Sequence, residues 1–310
     1  MKILFMGTPD FAVFSLRALV EAGEVVIGVI TQPDKPKGRG YALTPPPVKV
    51  YAEQMGLPVW QPTTLRDESF AELLAELAPE LIAVVAYGKI LPESVIKYPK
   101  YRCENVHGSL LPEYRGAAPM QRAIIDGKAT TGITTMYMDI GLDTGDMILK
   151  DEIAIEDSDN FESIHDKLGA LGAEMLVKTV ALIKDGKAPA EAQDDSKATY
   201  AAKIEKADCL LDFSRTAREL HCLIRGLSPI PLSFTHTPDG KLLKVISAER
   251  IDKSYNAVAG EVVSFEDGGI TVACGEGAVK ITAVLPEGKG RMPAADFVRG
   301  RKVALGDILK

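Results

Sequence analysis

An asparagine and a histidine two residues apart, followed later by an aspartate, are the side chains of this sequence best suited to chemistry. Asn105 and His107 belong to the segment 104–119, and Asp143 belongs to the turn-rich run 139–146. Residues two apart in an extended segment point to the same side, so Asn105 and His107 are expected to share one face. The glycines of the second run let the chain fold tightly back over strand ends. We therefore predict that the three side chains meet at the mouth of one pocket.

This set of side chains suits the transfer of an acyl group to an amine. An amide can donate a hydrogen bond to the oxyanion of a tetrahedral intermediate, and a histidine can donate or exchange a proton. A carboxylate can orient the histidine or accept the proton of the amine. A lone Asn or Asp in such a segment more often serves ordinary turn chemistry. The combination with the run Ser109, Leu110, Leu111 and Pro112 favours catalysis.

The elements that must position these residues follow from hydrophobic periodicity. Apolar strand-like runs alternate with amphipathic stretches over the first part of the chain, which predicts an α/β domain with a mostly parallel sheet. The predicted strands are Lys2–Met6, Val25–Thr31, Glu80–Ala86, Arg102–Val106 and Gly132–Met138. The predicted helices are Phe11–Ala22, Val48–Met55, Asp67–Leu77, Pro119–Asp126 and Asp159–Lys184. At the start of the last helix, Asp159 and Glu162 resemble a capping box.

The chain length of 310 residues fits two domains of ordinary size. We predict a first domain at 1–189, a polar and alanine-rich linker at 190–208, and a second domain at 209–310. The second domain has a predicted helix at Arg215–Leu227 and short strands at Leu242–Ser247, Gly260–Ser264, Gly269–Cys274 and Ala278–Ala283. Close turn spacing favours a small β-barrel of the OB-fold type, a common oligonucleotide platform. A structural lid without RNA contact remains an alternative.

The charge distribution bears on nucleic-acid binding. A net charge of −7 argues against a nucleic-acid partner. The charge is unevenly distributed along the chain, because residues 209–310 carry 14 Lys and Arg against 12 Asp and Glu. The run Asp34–Val50 is locally basic, with Lys35, Lys37, Arg39 and Lys49 against Asp34 alone. A polyanion can therefore be bound locally.

Cysteine usage and apolar runs indicate a cytoplasmic protein. The four cysteines have no short paired spacing, so they suggest neither a zinc cluster nor a disulfide framework. The N-terminus lacks the apolar core and cleavage site of a signal peptide. The longest strongly apolar run, Leu81–Tyr87, is too short to cross a bilayer. We expect a cytoplasmic location, no membrane association and no bound metal.

The first strand-to-helix turn, Gly7–Phe11, bears on dinucleotide binding. It holds one glycine where a dinucleotide-binding enzyme has three. Without the other two glycines, the backbone of this turn cannot come close to a bound pyrophosphate. The turn therefore argues against assigning the chain as a nicotinamide-dependent dehydrogenase.

The segment Glu104–Pro119 closely resembles the signature of methionyl-tRNA formyltransferases. The resemblance covers nearly the whole chain, through the runs Gly7–Ala12, Gln32–Asp34, Gly38–Gly40 and Ile224–Pro229. It implies a Rossmann-like formyltransferase domain that uses 10-formyltetrahydrofolate, and a C-terminal OB-fold-like β-barrel that helps to hold tRNA. The implied reaction formylates the free amino group of initiator methionyl-tRNA, in an enzyme that we expect to be a monomer.

The resemblance also implies roles for single residues. Asn105, His107 and Asp143 match the catalytic residues of the family, and the run from Ser109 to Pro112 matches its folate-contacting run. Arg39 occupies the place of an arginine that contacts the acceptor end of tRNA. Two other functions stay open, namely a formyltransferase acting on an amino sugar nucleotide and a non-enzymatic RNA-binding protein. The basic loop Pro33–Gly40 favours tRNA over the first, and the intact catalytic set weighs against the second.

Overall fold

The computed structural model of the chain describes residues 1–37 and 42–310, which form two compact units. The first unit contains Met1–Gly116, Thr131–Ile153 and His165–Ala201. The second unit contains Ala117–Thr130, Ala154–Ile164 and Ala202–Lys310. The second unit thus combines two short segments from earlier in the sequence with the C-terminal residues.

A seven-stranded sheet organises the first unit. The strands of the first 201 residues are β1 (Lys2–Gly7), β2 (Val25–Ile30), β3 (Lys35–Lys37), β4 (Ala42–Thr44), β5 (Val59–Trp60), β6 (Leu81–Val85), β7 (Cys103–His107), β8 (Arg115–Gly116), β9 (Thr130–Tyr137), β10 (Met147–Ala154) and β11 (Tyr200–Ala201). The order in the sheet is β10-β9-β7-β6-β1-β2-β5. Strands β5, β2, β1, β6 and β7 pair in parallel, and β7 pairs antiparallel with β9. The predicted mostly parallel sheet is confirmed.

Strands β1 and β6 are nearly continuous apolar runs, because a parallel sheet is covered on both faces. Leu4 of β1, Ile82 and Val84 of β6, and Cys103 of β7 are buried together in one apolar cluster. Val84 is also the register partner of Asn105. The packing of these strands therefore fixes where Asn105 lies in the sheet.

Helices connect these strands. They are α1 (Asp10–Glu21), α2 (Pro47–Gln54), α3 (Glu68–Leu77), α4 (Glu93–Ile96), α5 (Pro119–Ile125) and α6 (Phe161–Lys184). The predicted capping box of Asp159 and Glu162 is wrong, because α6 begins one residue after Asn160. The Asn160 side chain accepts the Ser163 N–H at 2.9 Å, and the Ser163 hydroxyl accepts the Asn160 N–H at 3.1 Å. The Asp159 carboxylate instead accepts the N–H of Glu156.

The second unit contains an antiparallel half-barrel consistent with the predicted OB-like fold. Its elements are α7 (Ala217–Gly226), β12 (Ser233–His236), β13 (Leu242–Ile251), β14 (Val262–Ser264), β15 (Ile270–Ala273), β16 (Ala278–Pro286), β17 (Met292–Pro293) and α8 (Ala294–Arg299). The strand order is β12-β13-β16-β15-β14, with β17 beside β16. Thr216 and Glu219 form the capping box that starts α7. Leu220, Leu223 and Leu227 recur at helical spacing and are buried in the core of this unit.

No helix within residues 1–37 and 42–310 is both long enough and apolar enough to cross a membrane.

The segment that we predict as a linker is bonded to the first unit over part of its length. Strand β11 pairs in parallel with β8. Thr199 accepts the Tyr114 N–H with its hydroxyl at 2.8 Å and the Arg115 N–H with its carbonyl at 2.9 Å. Polar composition carries no signal of this pairing, because the backbone groups that pair are common to all residues.

One carboxylic acid lies inside the sheet. Glu104 of β7 is fully buried between Ala83 of β6 and Tyr137 of β9. Neither of its carboxylate oxygens has a hydrogen-bond partner among residues 1–37 and 42–310. Burial raises the pKa of Glu104 well above its ordinary value. The side chain is therefore neutral in the fold over a pH range in which an unfolded chain carries the charge.

This burial predicts a pH-dependent stability. Because the pKa of Glu104 is raised in the fold, its contribution to the free energy of unfolding is complete below the pKa of the unfolded chain, about 4.3. This contribution is lost as pH rises through the folded pKa, with a limiting slope of about 1.4 kcal/mol per pH unit. We expect Glu104→Leu to raise the free energy of unfolding by about 1–3 kcal/mol at pH 8, and by less at pH 5. Urea unfolding at both values measures this. Glu174→Leu, at an exposed site of α6, is the control, and an equal effect of Glu104→Leu at both pH values contradicts the prediction.

Candidate active site

Strand β7 carries two of the three predicted catalytic residues. Asn105 pairs with Met136 of β9, and His107 pairs with Thr134 of the same strand. Alternation along the strand directs both side chains to one face, with about 7 Å between them. Asn105 is half-buried, and His107 is 6% exposed at the carboxyl end of the strand. Ligands of open α/β sheets bind at this end of the strands.

The ring of His107 lies between a backbone carbonyl and a carboxylate. Its Nε2 is 3.0 Å from the carbonyl oxygen of Tyr114. A carbonyl oxygen only accepts hydrogen bonds, so this contact assigns a proton to Nε2. Its Nδ1 is 3.7 Å from Oδ2 of Asp143, which is too long for a direct hydrogen bond. Nδ1 is therefore the ring atom that His107 presents to the carboxylate.

Asp143 reaches this position from the loop between β9 and β10. Its backbone is in the left-handed region, with φ of 53°. The Asp139 carboxylate accepts the Gly141 N–H at 3.0 Å and so closes the turn. A Cβ on Gly145 would lie 1.8 Å from the Tyr137 carbonyl oxygen, so only glycine fits there. Tight folding of this run over the strand end is thus confirmed.

A second bond fixes the orientation of the Asp143 carboxylate. Its Oδ2 accepts the N–H of Gly116 at 2.8 Å. Gly116 itself has φ of 121°, and a Cβ there would lie 2.8 Å from the carbonyl oxygen of Ala201. The structure therefore brings His107 and Asp143 together, and it places Asn105 on the same strand as His107.

The run from Ser109 to Pro112 forms a compact turn beside this pair. Ser109 is fully buried and donates its hydroxyl to the Glu113 carbonyl at 2.6 Å. Leu111 is also fully buried and packs with Met136 and Met147. Leu110 and Pro112 are half-buried. Any contact of this run with a ligand thus falls to Leu110, Pro112 and the backbone, whereas Ser109 and Leu111 hold the turn.

Two residues outside the predicted set hold this turn in place. Thr134 donates its hydroxyl to the Ser109 carbonyl at 2.7 Å and accepts the Leu111 N–H at 3.1 Å. Lys150 donates to the Leu111 carbonyl at 2.7 Å. A threonine and a lysine on adjacent strands are ordinary in a sheet, so the sequence held no signal of these roles.

Arg39, the predicted tRNA contact, lies outside the described residues. The strands on either side of it, β3 and β4, pair antiparallel. Before β3, Asp34 accepts hydrogen bonds from Gln61 at 2.7 Å and from Lys49 at 3.0 Å. These bonds, that of Gln61 first, lower the pKa of Asp34. The base of the basic segment is thus tied to the first unit.

Within residues 1–37 and 42–310, no group of three or more His, Cys, Asp or Glu side chains has a metal-binding arrangement.

Comparison with known proteins assigns the chain to a family. The formyl transferase family model matches residues 1–180, and the model of the formyl transferase C-terminal domain matches residues 203–302. The chain is 50% identical to the methionyl-tRNA formyltransferase of Bacillus subtilis (strain 168) over 309 residues, covering 99% of this chain and 97% of the relative. The chain belongs to the methionyl-tRNA formyltransferase family. The proteins of this family are formyl-transferring enzymes, so the dehydrogenase and the non-enzymatic alternatives are set aside.

Solved structures share the fold of this methionyl-tRNA formyltransferase family member. An N-formyltransferase from Helicobacter canadensis, in complex with folinic acid and dTDP-3-aminofucose, aligns with a TM-score of 0.68 at 18% identity, over 91% of this chain and 98% of that chain. HypX from Aquifex aeolicus, in complex with tetrahydrofolic acid, aligns with a TM-score of 0.64 at 17% identity, over 96% of this chain and 47% of that one. At these identities the likeness concerns the fold.

Proposed function

We propose that this chain transfers the formyl group of 10-formyltetrahydrofolate to the α-amino group of initiator methionyl-tRNA. The observation that carries the proposal is the approach of His107 Nδ1 to Asp143 Oδ2 at 3.7 Å, on the strand that also carries Asn105. Full-length similarity to the Bacillus subtilis methionyl-tRNA formyltransferase supports the choice of acceptor. The proposal includes a cytoplasmic monomer that uses no metal.

The proposed reaction begins with attack of the neutral amine on the formyl carbon. The Asn105 amide donates a hydrogen bond to the developing oxyanion, and preorganised donors of this kind commonly make the greatest single contribution to the rate of acyl transfer. Attack leaves an extra proton on the amine nitrogen, which passes to the Asp143 carboxylate or to His107 Nδ1 beside it. Collapse of the intermediate breaks the bond to the tetrahydrofolate nitrogen, which gains a proton as it leaves.

The folate donor is proposed to lie along the turn 109–112. The structures of relatives support a folate at this fold, since HypX was crystallised with tetrahydrofolic acid and the Helicobacter canadensis enzyme with folinic acid. Burial of Ser109 and Leu111 limits direct contact to Leu110, Pro112 and the backbone. Hydrogen bonds to Thr134, Lys150 and Glu113 hold the turn in place, so it offers the donor a preformed surface.

An amino sugar nucleotide is the second candidate acceptor. It is favoured by one observation, namely the fold shared with the Helicobacter canadensis enzyme. That likeness is at 18% identity, against 50% for the tRNA enzyme of Bacillus subtilis. The tRNA acceptor is therefore the better supported of the two.

Transfer of labelled formyl from 10-formyltetrahydrofolate tests the proposal. The acceptors compared are methionyl initiator tRNA, the uncharged tRNA and dTDP-3-aminofucose. We expect label on the charged tRNA alone, at its α-amino group. Label on the sugar nucleotide and none on charged tRNA assigns the second candidate, and no label on any acceptor refutes formyl transfer.

Replacement of Arg39 tests the tRNA contact. We expect Arg39→Ala to raise the KM for charged tRNA about tenfold or more, since hydrogen bonds to charged groups contribute about 1.5–3 kcal/mol. The salt dependence of tRNA binding should weaken by about one phosphate contact, and the folate dissociation constant should not change. Arg66→Ala, at an exposed position of the first unit, is the matched control. Unchanged kinetics with tRNA in Arg39→Ala remove the assignment.

A further inference from the structure

The predicted linker contains a glutamine whose side chain uses its whole hydrogen-bonding capacity within the candidate site. The Nε2 of Gln193 donates to the carbonyl oxygens of Asp143 and Gly145, each at 2.8 Å. Its Oε1 accepts from Nε and a terminal nitrogen of Arg115, at 3.1 and 2.9 Å. Carbonyls only accept and guanidinium only donates, so these partners also fix the orientation of the amide. These four residues are called the Gln193 bridge.

The Arg115 side of the Gln193 bridge is rigid. Arg115 is 2% exposed, and it also donates to the exposed carboxylate of Asp195 at 2.7 Å. Its backbone lies in β8, which pairs with β11 and bonds to Thr199. The bridge therefore starts from a buried guanidinium that is held by both its main chain and its side chain.

The Asp143 side of the Gln193 bridge holds a backbone that needs support. Asp143 adopts a left-handed conformation, which is uncommon for residues other than glycine. Gln193 holds the carbonyls on both sides of Thr144, and Gly116 holds the Asp143 carboxylate. Gly116 directly follows Arg115, so both restraints on Asp143 start from the same short strand.

Strand β8 also directly follows Tyr114, the residue whose carbonyl oxygen contacts His107 Nε2. The segment 114–116 therefore touches both members of the His107–Asp143 pair. Gln193 ties the aspartate loop to this segment through its bonds to Arg115, Asp143 and Gly145.

We propose that Gln193 is a positioning residue, which holds the Asp143 carboxylate at working distance from His107 Nδ1. The inference rests on the proposed formyl transfer for its kinetic consequences and on the bridge geometry for its structural ones. Gln193 touches neither reacting atom, and it acts through the backbone of residues 143–145.

Gln193→Glu tests the two sides of the bridge separately. The carboxylate keeps its bonds to Arg115, but it presents an oxygen to the carbonyls of Asp143 and Gly145 and repels them. We expect kcat for formyl transfer to fall on the order of 10²-fold, the cost of a misplacement near 1 Å. The KM values for folate and charged tRNA should stay as in the wild type. Amide exchange at Gly116, whose N–H bonds Asp143, should become faster.

Gln54→Glu, at an exposed position of α2, is the matched control, because it makes the same amide-to-acid change outside the bridge. We expect its kcat to stay within twofold of the wild type. An unchanged kcat in Gln193→Glu overturns the proposal, and so does a loss of kcat that comes with weaker folate binding. If Gln193→Glu does not fold, Gln193→Met replaces it, because methionine has a similar volume and does not repel the carbonyls. We expect the same fall in kcat, and an unchanged kcat overturns the proposal.

The two proposals fail in different ways. A wild-type chain that transfers no formyl group refutes the proposed function. The exchange rate at Gly116 still tests the Gln193 bridge in that case, because it reports the position of the Asp143 loop without any turnover. Normal exchange at Gly116 in Gln193→Glu refutes the bridge even where the wild type is active.

Discussion

Asn105→Ala is expected to lower the turnover of formyl transfer by about 10²–10³-fold, the range for removal of one oxyanion donor. Asn105 is half-buried and lies two residues before His107, on the same face of β7. Negative charge that develops at such a site is poorly screened by water, so a fixed amide donor there has a large effect. Because the amide acts mainly in the transition state, kcat should fall and the KM values should change little.

Single-turnover formylation of charged tRNA is the measurement, since it isolates the chemical step from product release. Asn105→Asp separates hydrogen-bond donation from volume, because it keeps the shape and loses the donor, and we expect it to be as slow as the alanine variant. Asn256→Ala, at an exposed position of the second unit, is the control for asparagine removal. A chemical rate near that of the wild type in Asn105→Ala would exclude Asn105 from the oxyanion role.

Asp143→Asn is expected to lower kcat by about 10²–10⁴-fold, the usual contribution of a positioned acid or base. The carboxylate lies 3.7 Å from His107 Nδ1, where it can accept the amine proton or stabilise a protonated ring. The asparagine keeps an oxygen that can accept the Gly116 N–H, so the loop should hold its position. The substitution therefore removes the charge and little else.

Kinetics and amide exchange together check this expectation. The folate dissociation constant and the exchange rate at Gly116 should match the wild type, while kcat falls. Asp146→Asn removes a charge near the same loop, where Asp146 lies 3.6 Å from Arg102 at the surface, and it should be active. If Asp143→Asn turns over normally, the proton of the amine leaves by another route. A faster exchange at Gly116 would instead show that the loss of activity comes from a displaced loop.

The strands and helices with strong periodicity could be predicted from the sequence. The apolar runs of β1, β2 and β6 and the helical spacing of α6 and α7 are local patterns, and burial of one face produces them directly. Short elements such as β5, β8 and α4 carry too few residues to show a period. The predicted cap of α6 lies one residue too early, because Asp159 and Asn160 are both good caps and only the fold engages Asp159 elsewhere.

From the sequence we could predict the residue types for acyl transfer, an extended segment that places Asn105 and His107 on one face, and the family that the chain resembles. Only the folded chain shows that His107 presents Nδ1 to Asp143, that the Tyr114 carbonyl assigns the His107 proton to Nε2, and that Gln193, 50 residues after Asp143, hydrogen-bonds to its loop. The physical reason is that periodicity reports burial within one element. Bonds between distant backbone groups, which nearly every residue can make, leave no pattern along the chain.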